Sequence, residues 1–306
     1  MIGLYMIMMF EGFQTYSVAA SDYFIDEPEK DNRECGANED ACCFGTDYLV
    51  MIDGATGLNS IHLTNEPTDT GWMSKRLAML IGEKFSMNAN KTTKALLTEC
   101  AMTICAELDE LGYESKKNSY PSACVSIVRA YGDKIECYVL GDAPILLHCA
   151  DGSLMILTDD AVPKRDAKII EWIIKKSKEE GITVRKATKS AKNMLLKNRS
   201  EMNMPNGYWI FEPTGVGIEH GIIKEFNRND ITEIALMSDG FYEIYELFEI
   251  EPLDVRIFDE LRMGKAPVLS RLLRSIQAGD MGCDHYPRLK PADDSTVLYA
   301  QVTRAE

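Results

Sequence analysis

The chain has 306 residues, 45% of them hydrophobic, and a formal net charge of −15. That is enough apolar material for a substantial core, and the length favours one large domain over two small ones. An average field of that sign repels nucleic acid and anionic membranes and gathers cations, which sets aside nucleic-acid or membrane-surface binding as the main activity.

The first ten residues, "MIGLYMIMMF", are apolar but carry no basic leader and no small-residue cleavage site, and they fall short of the about 20 residues that cross a bilayer. A strand or an ordered extension is expected there. Strands are predicted next at "TYSVAASDYFI", "ACCFG" and "DYLVMID" from their aliphatic or alternating character. Two helices follow, "SKRLAMLIGEKF" and "KTTKALLTECAMTICAELDELGY". In the second, Leu96, Leu97, Cys100, Ala101, Ile104, Leu108 and Leu111 recur at three- and four-residue steps.

Strands return at "ACVSIVRA", "KIECYVLGD", "PILLHCA" and "SLMILT". The tight turn between "KIECYVLGD" and "PILLH" predicts that those two strands pair antiparallel. Helices are predicted at "DAKIIEWIIKKSKEE" and at the basic "VRKATKSAKNMLLKNRSEM", then a strand at "EIALMSD", a helix within Val255 to Ile276, and a last strand at "STVLYAQV". This grouping predicts an α+β fold with helices packed on antiparallel sheets, not alternating βαβ units. From Lys164 to Arg199 basic residues outnumber acids against the trend of the chain. Such a stretch serves as a solvated helix pair, or as a basic flap for an acidic partner or a phosphorylated substrate.

The nine cysteines include no CxxC pair, and several sit inside apolar runs such as "ACVSIV", the pattern of reduced, buried thiols in a cytoplasmic protein. Cysteine-based phosphatase chemistry needs a Cys-x5-Arg loop, which is absent, as are a DxD pair and a GxxxxGK[ST] phosphate loop. "PTGVGIEHG" is predicted to form a β-turn. The four histidines, His62, His148, His220 and His285, lack metal-ligand spacing, and His148 is expected to be structural.

Acidic chemistry is better supported. In "YLVMIDGATG" an apolar run from Leu49 to Ile52 stops at Asp53 and Gly54, and "IALMSDGFYE" repeats the pattern with Asp239 and Gly240. A carboxylate at the end of a buried strand, beside an open glycine backbone, offers the oxygen ligands that hard divalent cations take. One Asp-Gly pair commonly makes only a turn. Here two are joined by Glu39 and Asp40 of "GANEDACCF", Asp142 of "CYVLGDAPILL", and Asp293 and Asp294 of "KPADDSTVLYAQV". These positions form one cluster if their strands share a sheet rim.

Read in order, "NEDA", "DGATG", "GDAPILL", "LMSDGFYE" and "DDSTVLYAQV" resemble the motif series of the metal-dependent serine/threonine protein phosphatases, the type 2C or PPM family, from about Tyr16 to Val302. The resemblance implies a four-layer αββα sandwich of two antiparallel sheets, a single domain over residues 1–306 with a basic helical insertion around 164–203, and a binuclear Mn²⁺ or Mg²⁺ centre at one edge. It implies that Asp53 bridges both metals, that the Gly54 carbonyl and Glu39 serve one of them directly or through water, and that Asp239 and Asp293 hold the other. Asp142 would lie beside the pair or help bind a weaker third ion. The family's terminal Asp-Asn-x-Thr, set on Thr296, puts Asp293 at the ligand position and Asp294 in place of the asparagine.

The implied activity is removal of phosphate from serine and threonine of a phosphorylated protein partner, opposing a Ser/Thr kinase in the cytoplasm. Asp53 and Asp239 would be the catalytic carboxylates, and a water activated between two cations would attack phosphorus in line. Three positions depart from the family. The arginine that grips the substrate phosphate four residues before the first glutamate is replaced by Cys35, which leaves Arg33 as the nearest candidate for that role. Ala55 stands where many eukaryotic members have histidine, and the usual Gly-Asp-Ser-Arg turn reads Gly141, Asp142, Ala143, Pro144. Two further readings follow from the lost arginines: a phosphatase-like protein-binding module, or a metal-dependent phosphatase of small phosphoesters.

Overall fold

A computed structural model describes residues 9–20, 37–57, 62–87, 91–113 and 120–304. One sheet runs β1-β10-β9-β6-β7, from strands β1 Phe10–Val18, β6 Ile145–Cys149, β7 Leu154–Leu157, β9 Ile231–Met237 and β10 Ser295–Val302. The other runs β2-β3-β4-β5-β8, from β2 Ala41–Phe44, β3 Tyr48–Ala55, β4 Ser122–Tyr131, β5 Lys134–Leu140 and β8 Ile222–Asn227. Every pairing in both sheets is antiparallel.

The side-chain alternation of the strands sets the layers. In β3, Leu49 and Met51 point into the space between the sheets, where Val128, Ile145, Ile234 and Leu298 join them. Val50 and Ile52 point the other way, onto Met73, Leu77, Leu97 and Ile104 of helices α1 (Asp69–Met87) and α2 (Thr93–Glu110). On the far side Ala235, Met237, Val297 and Tyr299 of β9 and β10 meet Phe241, Ile244, Phe258 and Leu273 of α6 (Asp239–Glu246), α7 (Arg256–Arg262) and α8 (Ala266–Gly279). Residues 49–52 of β3 and 234–237 of β9 are therefore apolar on both faces, which is why they read as unbroken hydrophobic runs. The result is helices, sheet, sheet, helices, the four-layer α+β sandwich expected from the motif series.

Helices α3 (Ala161–Glu180), α4 (Val184–Thr188) and α5 (Lys192–Ser200) follow β7 in the chain. They pack on one another around Ile169, Ile173, Val184, Ala187 and Ala191. A buried polar knot ties the second sheet-to-helix interface. Glu233 of β9 takes hydrogen bonds from Arg262 Nη2 at 2.7 Å and from the Tyr299 hydroxyl, and bonds His148 Nδ1 at 2.8 Å. His148 is thus structural, stacked on Phe258.

The structure differs from the sequence reading in several places. β5 and β6 do not pair: the turn Gly141–Pro144 carries the chain from one sheet to the other, so Asp142 sits at a crossover and not in a hairpin. A short loop cannot by itself distinguish the two. Val255 to Ile276 holds two helices, separated at Met263 and Gly264, the glycine at φ +69°. The strand expected from Thr15 begins earlier, at Phe10, and its expected end at Ile25 lies outside the described residues, as do Met1 to Met8. β8 was not expected because its residues "IIKEFN" form a largely exposed edge strand with no apolar alternation. "PTGVGIEHG" does turn, with Gly215 N donating to Glu212 O at 2.9 Å. Among the described residues no helix is long and apolar enough to cross a membrane, and the cysteines among them are free.

Candidate active site

Both Asp-Gly pairs differ from the turns that such dipeptides usually make. β3 continues through Asp53 and Gly54 to Ala55, and Asp239 opens α6 directly after the extended Ser238. The glycines are needed for close packing. A Cβ on Gly54 would lie 2.3 Å from the carbonyl oxygen of Glu39, and one on Gly240 would lie 2.0 Å from that of Asp294. Each glycine lets another acidic segment press against its own aspartate. Ser238 locks the second pair, its amide donating to Thr296 O at 3.0 Å and its hydroxyl accepting from Thr296 N at 2.9 Å. The amide of Asp239 then donates to Asp53 Oδ2 at 2.9 Å, joining the two sheets through the two aspartates.

Asp53, Asp142, Asp239 and Asp293 line one cavity of about 350 Å³, together with the backbone of Gly54. Asp293 and Asp294 part company: Asp293 faces the cavity, whereas both oxygens of Asp294 are taken by backbone amides, of Ala20 at 2.8 Å and Glu39 at 2.8 Å. Glu39 is 3% exposed and packs against Gly54, its carboxylate accepting from the Thr56 hydroxyl at 2.8 Å. Asp142 is held by the Cys124 thiol, which donates to Oδ1 at 3.0 Å. Arg33, the sequence candidate for the substrate phosphate, and Cys35 lie outside the described residues.

The site includes Asp40, already among the candidate acids of the sequence, and residues that sequence reasoning did not single out. Asp40 is 6% exposed, is pushed up to about 7 by burial and by the charge of Asp294, and presses its own charge on Asp53. Its position beside Glu39 was visible, but which of two adjacent acids faces the cluster depends on the strand that follows. Asp166 of α3 and Asn198 and Arg199 of α5 line the cavity, and so does Lys290 from the loop before β10. Arg199 closes the basic stretch from Lys164, and that local excess of cations was the available signal.

The electrostatics are those of an unbalanced anion cluster. Burial first, then the charges of Asp40 and Asp142, hold the Asp53 carboxyl well above the ordinary carboxylate range. Burial and then Asp53 and Asp293 do the same to Asp239, and burial raises Asp142 despite its hydrogen bond from Cys124. Asp166 is pushed up to about 6, mainly by burial and by Asp142. One oxygen of Asp40 is buried with no hydrogen-bond partner. Carboxylates gathered this closely ionise together only beside a cation.

Oxygen-only donors and an excess of carboxylates over the two cations that reach the cavity fit Mg²⁺ or Mn²⁺. Among the described residues, no three His, Cys, Asp or Glu side chains are grouped about a common point as a finished metal site. Two of the carboxylates are engaged within the chain, Asp293 by Lys290 Nζ at 2.5 Å and Asp53 by the Asp239 amide.

No protein-family model matches the chain, and no curated protein matches it. Solved structures do. The serine/threonine phosphatase PstP/Ppp of Mycobacterium tuberculosis is 14% identical and superposes with a TM-score of 0.53, over 95% of this chain and 98% of that one. PppA, a key regulatory component of T6SS in Pseudomonas aeruginosa, is 13% identical with a TM-score of 0.51, over 96% and 99%. The serine/threonine phosphatase Stp1 of Staphylococcus aureus is 12% identical with a TM-score of 0.50, over 95% of each chain. At such identities the likeness concerns the fold, and it runs nearly end to end in both directions. The chain has the fold of these bacterial proteins, among them two serine/threonine phosphatases, and it is the fold that its motif series implied.

Proposed function

We propose that this chain, with its phosphatase fold, is a cation-dependent phosphatase that removes phosphate from serine and threonine of proteins, opposing a kinase in the cytoplasm. The observation that carries the reading is the convergence of Asp53, Asp142, Asp239 and Asp293, from four separate segments and two sheets, on one cavity. A packed core has no physical use for such repulsion. In this reading Asp53, the Gly54 carbonyl, Asp239 and Asp293 would hold a pair of Mn²⁺ or Mg²⁺ ions, with Glu39 assisting directly or through water and Asp142 serving a weaker third. Bound there, the cations neutralise the carboxylates, polarise the phosphoryl group and lower the pKa of water.

The chain supplies rigidity and shape. The buried strand β3 fixes Asp53, and the Ser238–Thr296 exchange fixes Asp239, so neither carboxylate needs to reorganise during reaction. Val162, Leu195, Ile210 and Leu289 give the cavity apolar walls. A second reading, a protein-binding module with little turnover, draws support from the crossover after Asp142. Ala143 there is fully buried and Pro144 follows it, so this turn brings no guanidinium to the phosphate.

The test is hydrolysis of p-nitrophenyl phosphate and of a phosphothreonine peptide, with and without Mn²⁺, by wild type and Asp239→Asn. Manganese-dependent turnover that falls more than about a hundredfold in the variant is expected. Absence of turnover in wild type that still binds Mn²⁺ transfers the assignment to the binding module.

A further inference from the structure

The family's two phosphate-side arginines are replaced here by Cys35 and Pro144. Two other cations reach the cavity from distant parts of the chain. Arg199 Nη2 donates to the carbonyl oxygen of Thr56 at 3.0 Å, and Lys290 Nζ donates to the hydroxyl of Thr56 at 3.4 Å. Thr56 follows Asp53 by three residues, so both cations meet on the segment that leaves the central carboxylate. Both also line the cavity with Asp53, Asp239 and Asp293.

The guanidinium is fixed. Arg199 Nη1 donates to Ser122 Oγ at 3.0 Å, and Ser122 pairs with Ala55 in the β3–β4 ladder, so the strands that place Asp53 also anchor Arg199. Two of its five N–H donors are used in these bonds. Lys290 Nζ rests on Asp293 at 2.5 Å, and a phosphoryl oxygen would offer that ammonium an alternative acceptor if Asp293 held a cation. A planar guanidinium and a point-charge ammonium side by side suit the oxygens of one phosphoryl group.

We propose that Arg199 and Lys290 form the phosphate-binding subsite of this cavity, taking the dianionic phosphoryl group of a phosphomonoester. The subsite rests on the phosphatase reading for its reaction but not for its binding.

Calorimetric titration of inorganic phosphate into the Mg²⁺-loaded full chain tests it, on wild type, Arg199→Gln, Arg199→Lys and Lys290→Gln, each first shown by thermal melting to be folded. Each neutral variant is expected to bind phosphate at least about tenfold more weakly, with Arg199→Lys between it and wild type. KM for p-nitrophenyl phosphate should rise in step while kcat falls less. Phosphate affinity within twofold of wild type in both neutral variants, or no phosphate binding by wild type, overturns the subsite. If phosphate binding follows the two residues but no phosphoester is hydrolysed, the subsite stands and the phosphatase reading falls. If hydrolysis depends on Asp239 while phosphate binding is indifferent to both residues, the phosphatase reading stands and the subsite falls.

Discussion

Gly54 and Gly240 each carry a neighbouring acid's backbone where a side chain would begin. Their role shows what a residue pattern discloses and what it withholds. That an aspartate ends an apolar run was plain in the letters; that its glycine exists to admit Glu39 or Asp294 was not, because the contact spans residues far apart in sequence. Gly54→Ala is expected to destabilise the protein by about 1–3 kcal/mol, since the Glu39 carbonyl belongs to backbone that can retreat only by moving β2. Guanidinium unfolding measures it, and a change below about 0.5 kcal/mol would mean that the segment gives way freely. The choice of Asp293 over Asp294 came from the resemblance, through the family's terminal motif set on Thr296; in the structure Asp293 lines the cavity and Asp294 accepts from two backbone amides.

At the scale of elements, the loop from α8 to β10 is held by a buried ion pair. Asp280 and Arg288 are 6% and 4% exposed and meet at 2.8 Å. The Asp280 carboxylate also accepts from the amides of Asp284 at 2.9 Å, His285 at 3.2 Å and Tyr286 at 3.0 Å. Burial alone would raise the Asp280 pKa, but Arg288 and these amides outweigh it and hold the carboxyl below its ordinary range. A depressed folded pKa contributes stability that is fully present above the unfolded value, near 3.9, and is lost as pH falls through the folded one. Asp280→Asn should therefore unfold more easily at neutral pH and lose less stability than wild type on acidification below about pH 4. Arg288→Ala, which strands a buried carboxylate, should cost about 3–5 kcal/mol. Parallel pH-dependent melts of the three proteins check both, and identical acid limbs for wild type and Asp280→Asn would refute the linkage. None of this was legible in "AGDMGCDHYPRLKPADD", where the loop has no periodicity to read.

For the whole molecule, the sandwich carries its acidic cluster at a cost. Removing one carboxylate should raise the melting temperature of cation-free protein, so Asp53→Asn is expected to melt higher than wild type in chelator. Adding Mn²⁺ at a hundredfold excess over its dissociation constant should stabilise wild type by about 2.7 kcal/mol, or about 5 °C for a chain of this size, and Asp53→Asn far less. Equal shifts in both proteins would place the cation elsewhere.

The sequence by itself determined the class of fold, the strands buried on both faces, and most of the acids that reach the cavity, because apolar periodicity and strand-end chemistry are local properties of the chain. Tertiary structure decided the rest. It separated β5 from β6, since pairing between sheets is a competition among distant strands. It selected Arg199 from the basic stretch and brought Asp166 and Lys290 to the site, since electrostatic neighbours are set by packing across elements.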